Sequence, residues 1–314
     1  VTDSPRDPHA VLVAALHGAQ SCSDGEVATY IPELGGVEPD RTSAALVLRD
    51  GTVVAAGDPS SHRFTLQSAA KLIVLAGALH EFGPQRVFEV VGSEPSGDSF
   101  SSMARLESRG PRPANPMVNA GAIALCSLLP GELEDRIAWI ETWAQRLCGT
   151  RLTVNSRVQA SEARTGDRNR SIAYLLRATG VLQGTVDDAL QTYFALCSLE
   201  ATVVEAARLG CVLARGGMTP QGERVVDADA ATRVVALMAS CGMYDESGTY
   251  LMETGLPAKS GVSGVIIGVA PGQAGIAVCS PRLNSRGGSV RGHMILRTVS
   301  RALHLHFAAP ETHV

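Results

Sequence analysis

Residues 64–77 read FTLQSAAKLIVLAG, with Ser68 and Lys71 three places apart at the head of a long apolar run. On a helix, positions i and i+3 share a face, so the Ser68 hydroxyl and the Lys71 amine can meet. The run continues through ALHEFGP, where Gly83 and Pro84 form a helix stop. The spacing therefore predicts a helix from near Ser68 to near Phe82, with the pair in its first turn. Taken alone, such a pair is ordinary. A serine near a helix start usually caps it, and a lysine one turn later usually reaches for solvent.

The rest of the chain weighs against that plain account. Of 27 basic residues only two are lysines, Lys71 and Lys259; the other 25 are arginines. A chain that uses arginine wherever either cation serves has kept lysine at two places. Arginine cannot lose its proton in a protein, whereas a desolvated lysine can become a neutral base. The helix start, burial and the second lysine would all lower the Lys71 pKa.

The remaining composition is that of an ordinary globular protein. The chain has 314 residues, 45% hydrophobic and 18% charged, with a net charge of -4. Mild acidity gives no footing for nucleic acid or an anionic membrane, and no apolar stretch reaches spanning length. The seven cysteines are scattered singly, without C-x-x-C pairs, which points to reduced thiols and a cytoplasmic setting rather than disulfides or zinc. His304 and His306 read as structural rather than as metal ligands.

Strand signals lie at both ends. SAALVLRDGTVVAAG (43–57) holds two β-rich runs around Asp50-Gly51, and GVSGVIIGVAPGQAGIAVCS (261–280) holds two more around Pro271-Gly272. Between them run segments of helical period, several ending at glycine. An α/β (α+β) plan follows: a sheet built from both ends and a helical lobe over roughly residues 72–250. We expect one catalytic unit across residues 1–314.

Ser68-x-x-Lys71 and Lys259-Ser260-Gly261 then fall at sheet–helix boundaries. That pairing is the arrangement of β-lactamases and DD-peptidases, where a Ser-x-x-Lys helix faces a K-[ST]-G strand. Those enzymes also carry S-x-N or Y-x-N on the helical lobe. None of the five asparagines here has Ser or Tyr two places before it. A β-lactam-recognising serine hydrolase or peptidase is thus one rival, and a non-catalytic protein on the same fold is another.

Across nearly its whole length the chain resembles the serine-dependent glutaminases of bacteria and mitochondria. The resemblance rests on VATYIPEL (27–34), FTLQSAAK (64–71), EPSGDSF (94–100), NPMVNAGAI (115–123), SEARTGDRN (161–169), QTYFALCSL (191–199), CGMYDESG (241–248) and LPAKSGVSG (256–264). It implies a β-lactamase/DD-peptidase-like fold and hydrolysis of L-glutamine through a γ-glutamyl ester on Ser68. Lys71 would be the base, the N–H groups of Ser68 and Val262 the oxyanion hole, and Tyr30 and Tyr244 the proton relay beside the pair.

The same resemblance assigns substrate contacts to Glu162, Asn119, Asn169 and Tyr193, besides Ser68, Tyr244 and Val262. Without it, Glu162 would read as an exposed acid at a helix start, Asn119 as a turn residue and Tyr193 as a core aromatic. No metal or organic cofactor is implied, and a homodimer or homotetramer is. GSEPSGDSFSS (92–102) would be a lid. The chain departs from the family pattern at Ser101, at Ser263 and Val265 after KSGV, and at Gly288 in the late GGS. The second departure adjoins Val262 and bears on rate rather than reaction type.

Overall fold

The computed structural model describes residues 6–96 and 112–309. Its main sheet is antiparallel and draws strands from both ends of the chain. β1 (Ser43–Leu48) and β2 (Val53–Gly57) come first; a small second sheet uses β3 (Phe64–Thr65), β4 (Thr153–Val154) and β5 (Leu199–Ala201). β6 (Ala258–Ser260), β7 (Val265–Ala270) and β8 (Ala274–Cys279) complete the main sheet in the order β2-β1-β8-β7-β6. The β1–β8 pair joins the two ends, in register from Ser43 opposite Cys279 to Leu48 opposite Ala274.

Both hairpins form where the turn residues lie. At the first, Gly51 takes a φ of 92° and Asp50 Oδ1 accepts the Thr52 N–H at 2.9 Å. At the second, Gly272 takes a φ of 73°. Successive side chains leave opposite faces of a strand, so each face needs its own cover. Leu46, Ile266, Ile276 and Val278 pack with Leu12, Leu16, Ile295 and Leu296 of the first and last helices, Pro8–Ala19 and Val290–Ala302. Val47, Val265, Ile267 and Ala277 face the helical body. There the helix Val203–Ala214 lies directly on β8, and a Cβ on Gly275 would stand 2.0 Å from Cys211 N. Only glycine permits that approach.

The helical body occupies the middle of the chain, from Lys71–Val90 to Ser247–Thr254. Asn155, Thr185 and Thr202 cap three of its helices by accepting N–H groups two or three residues on. Its core includes Leu72, Ile73, Leu75, Ile123, Trp143 and Phe194, each essentially fully buried and each contributing roughly 1.5–3 kcal/mol.

The helix expected from near Ser68 differs at its start. Residues Gln67–Ala70 form a 3-10 turn, and α-helical geometry begins at Lys71. The stop is where the Gly-Pro signal puts it: Gly83, with φ 74° and ψ 163°, breaks the helix, and a further stretch runs from Pro84 to Val90. Gly97–Ser102 of the expected lid, Ser101 among them, lie outside the described residues. Among those described, no helix is long and apolar enough to cross a membrane, and no cluster of His, Cys, Asp or Glu could hold a metal. The seven cysteines are free, six of them buried.

Candidate active site

Ser68 owes its position to backbone geometry that no propensity would choose. Only Leu66 separates β3 from the 3-10 turn, and Gln67, the first residue of that turn, has a φ of 50°. Left-handed backbone at a non-glycine residue is costly and is retained where neighbours enforce it. The KSG glycine is one enforcing neighbour. A Cβ on Gly261 would lie 2.5 Å from Leu66 O, so the end of β6 can press against the turn that carries Ser68.

Across from Ser68 stands Tyr244, the first residue of a short 3-10 turn, also left-handed with a φ of 57°. Its carbonyl accepts the Ser247 hydroxyl at 2.8 Å, and that hydroxyl accepts the Met243 N–H. The phenol is buried beside Ser68; burial pushes its pKa up, and the neighbouring Ser68 hydroxyl pulls it the other way. Both lysine amines flank this ring. Lys259 Nζ lies 4.1 Å from its centroid and Lys71 Nζ lies 5.8 Å away.

The two lysines are wholly buried. Lys71 Nζ donates to Met117 O at 3.0 Å and to Asn119 Oδ1 at 2.7 Å, rather than to Ser68. Desolvation holds its pKa at about 8, with the thiols of Cys197 and Cys126 pulling weakly the other way. Burial is thus the leading cause expected from the sequence. Repulsion between the amines shows on Lys259, which burial and then Lys71 hold well below the usual lysine range. Lys259 Nζ donates to Ser260 O at 2.8 Å.

Asn119 opens the helix Asn119–Ser127 and is no mere turn residue. It accepts from Lys71 and donates to Asn169 Oδ1 at 3.0 Å, linking three sequence-predicted residues in a row. Asn115 builds the approach. Its Oδ1 accepts the N–H groups of Met117 and Val118, which aims the Met117 carbonyl at Lys71.

Glu162 forms the second part of the site. It is buried in the later part of the helix Ser156–Thr165, so it is neither exposed nor a helix-start acid. Burial raises its pKa, against hydrogen bonds from Tyr30 and Gln67 that lower it. Tyr30 Oη donates to Glu162 Oε1 at 2.7 Å, and Gln67 Oε1 lies 3.1 Å from the same hydroxyl. About half of the Tyr30 side chain is exposed (47%) while its hydroxyl is enclosed. Tyr30 therefore meets Glu162 rather than bonding to the Ser68–Lys71 pair. Tyr193 is buried, with its ring centroid 6.0 Å from Lys71 Nζ, and burial and then the nearby Cys197 thiol raise its pKa.

Val262 packs against Ile31, Leu34 and Val158, beneath the segment that carries Tyr30. Its own N–H makes no hydrogen bond among the described residues, although Gly261 N–H and Gly264 N–H on either side both do. A narrow throat at Ser68 is walled by Tyr244, Ser260, Gly261, Val262, Arg286 and Gly287. It shares four of these residues with a cavity of about 990 Å³ bounded by residues 24–29 and 283–287. A separate cavity of about 760 Å³, lined by Leu48, Arg49, Arg215 and Leu303, lies at the far ends of β1 and β8 and holds none of the predicted residues.

The family model for glutaminase matches residues 25–307. A glutaminase of Legionella pneumophila (strain Paris) is 47% identical over 301 residues, covering 96% of this chain and 97% of that one. The chain belongs to the glutaminase family. Among solved structures, the probable glutaminase ybaS superposes with a TM-score of 0.90 at 39% identity, covering 94% of this chain and 97% of that one. Mglu in its glutamate form gives 0.92 at 38%, covering 98% of this chain and 70% of that one.

Glutaminases are amidohydrolases, and three residues that shape or line this site were not among the predicted ones. Gln67 sits inside FTLQSAAK, but its left-handed backbone and its reach to Tyr30 have no sequence signal. Met117 takes part through a carbonyl, which residue-type patterns cannot report. Arg286 lies in RLNSRGGS, next to the departure at Gly288, and that departure was the available signal.

Proposed function

We propose that this glutaminase hydrolyses L-glutamine to L-glutamate and ammonia through a γ-glutamyl ester on Ser68. One observation carries the assignment of roles: a fully buried Lys71, bonded only to neutral acceptors, stands one turn from a serine that lies beside a buried tyrosine. With a pKa of about 8, Lys71 is substantially neutral at mildly alkaline pH and can take a proton.

Ser68 Oγ attacks the carboxamide carbon, and its proton passes to Lys71, directly or by way of the Tyr244 hydroxyl. The N–H groups of Ser68 and Val262 hold the tetrahedral oxyanion. Lys71 returns the proton to the departing ammonia. Water, deprotonated by Lys71, then cleaves the ester and frees Ser68. Glu162 binds the substrate ammonium, with Tyr30 fixing the carboxylate. Asn119, Asn169 and Tyr193 present neutral donors to the α-carboxylate.

We place the fold with the β-lactamase/DD-peptidase-like proteins, on the Ser-x-x-Lys turn facing the KSG strand, and take residues 1–314 as one catalytic unit. Family kinship supports a homodimer or homotetramer, and seven unpaired thiols support a cytoplasmic setting. Ammonia release from glutamine tests the activity. Mass spectrometry of acid-quenched enzyme tests the route: a γ-glutamyl adduct is expected on the Ser68 peptide and none in Ser68→Ala. Turnover that persists in folded Ser68→Ala would overturn it.

A further inference from the structure

Hydrolysis changes charge at one place. Glutamine is a zwitterion without net charge, while glutamate carries an extra carboxylate where the carboxamide was. That carboxylate is born beside Ser68, in a throat where Arg286 is the single charged wall residue among those described. Arg286 also lines the larger cavity outside, where the other charged residues on the wall are Asp24, Glu26 and Asp245. Among the described residues, the walls of the product's path out thus carry one cation besides the buried Lys71 and Lys259, and three acids beyond it.

The loop that carries Arg286 is built firmly. Asn284 Oδ1 accepts the N–H groups of Arg286 and Gly288 at 2.9 and 3.0 Å, and Asn284 Nδ2 donates to Glu246 Oε1 at 3.0 Å. Gly287 turns the loop with a φ of 84° and lies against Val262. The guanidinium itself is held loosely, through Nε at 3.5 Å from Asp245 Oδ2, with both side chains partly exposed. Exposed pairs of that kind contribute little, so an incoming carboxylate can compete for the arginine.

We propose that Arg286 is the binding group for the γ-carboxylate of the product, selecting glutamate over glutamine at the throat and setting product inhibition. The inference rests on the glutaminase reading. Arg286 has no charge to meet on the carboxamide, so it acts on product release and not on substrate capture. Asp245 competes with the product for the guanidinium and weakens its hold.

Two measurements test this. In the active enzyme, Arg286→Gln should raise the Ki for L-glutamate about fivefold while KM for glutamine stays within about twofold. Arg286→Lys should keep most of the wild-type Ki, and Asp245→Asn should lower it. In a Ser68→Ala background, calorimetric titration of both amino acids should show Arg286→Gln reducing the preference for glutamate by the same factor. An unchanged preference, or equal weakening of both ligands, would overturn the proposal and leave the glutaminase reading intact. Failure of the wild type to release ammonia from glutamine would instead overturn that reading.

Discussion

The two parts of the site hold opposite charges, and each keeps its charge away from the other. Around Ser68 the amines of Lys71 and Lys259 bond to Met117 O, Asn119 Oδ1 and Ser260 O, all uncharged. Around Glu162 the carboxylate accepts from the Tyr30 hydroxyl, with the Gln67 amide beside that hydroxyl, both uncharged. An ion pair between the two would look stabilising. At 4 Å and an effective dielectric of about 20 it would be worth roughly 4 kcal/mol, enough to raise an amine pKa by about three units. Lys71 would then stay protonated, and Glu162 would be occupied before any substrate ammonium arrived. Separation costs stability and leaves one group able to accept a proton and the other free to bind.

Lys71→Arg is the strongest way to break that contrast. It keeps a cation but removes the proton acceptor, so single-turnover acylation should fall on the order of 1,000-fold or more, close to Ser68→Ala. Lys71→Met, which fits an apolar site without charge, separates loss of the base from a folding defect. As the proposed base, Lys71 acts in its neutral form. kcat/KM should therefore climb about tenfold per pH unit well below pH 8 and level off above it, since burial holds this pKa at about 8. A profile flat from pH 6 to 9 would remove Lys71 as the base.

Asparagine probes the distance between the two parts. Anchored by the same α-groups, its shorter side chain leaves the carboxamide short of Ser68, and misplacement of about an ångström costs on the order of 100-fold in rate. Comparable kcat/KM for both amides would show that the α-groups do not fix the pose. Glu162→Gln should lower kcat/KM for glutamine by about 10- to 100-fold, the loss of one charge-assisted contact. Its melting temperature should stay near wild type, because the carboxylate is disfavoured where it sits.

The smallest expected effect is that of Tyr30→Phe. Removing the donor should raise the pKa of Glu162, so substrate capture is lost at a higher pH on the acid side, with only a few-fold loss near neutrality. An acid limb that stays in place would mean that the Tyr30 bond does not tune the carboxylate.

What the sequence disclosed divides along chemical lines. Side-chain identity was readable: two lysines in a sea of arginine marked the chemistry, and DG and PG marked the hairpins that bring both chain ends into one sheet. Family resemblance then named Tyr30 and Asn169, and also Glu162, Asn119 and Tyr193, whose local patterns alone read as a helix-start acid, a turn residue and a core aromatic. Backbone geometry was not readable. The 3-10 turn at Ser68 and the left-handed Gln67 and Tyr244 arise from tertiary contacts such as the Gly261–Leu66 approach, which local propensity does not encode. For the same reason the Lys71 amine reaches Met117 and Asn119 instead of Ser68. The i, i+3 rule describes an α-helix, and this helix begins one residue after the turn that holds Ser68 ends.

Lysine placement also governs how the protein meets reagents. Both of its side-chain amines are inside, each with no exposed surface. Active esters, aldehydes and reducing sugars therefore find no lysine to modify on the folded surface, however many arginines they pass. Opening the fold exposes two such amines at once, both from the reacting centre. The rate of lysine acylation by a bulky ester, read on the Lys71 and Lys259 peptides, thus becomes a label-based clock for unfolding.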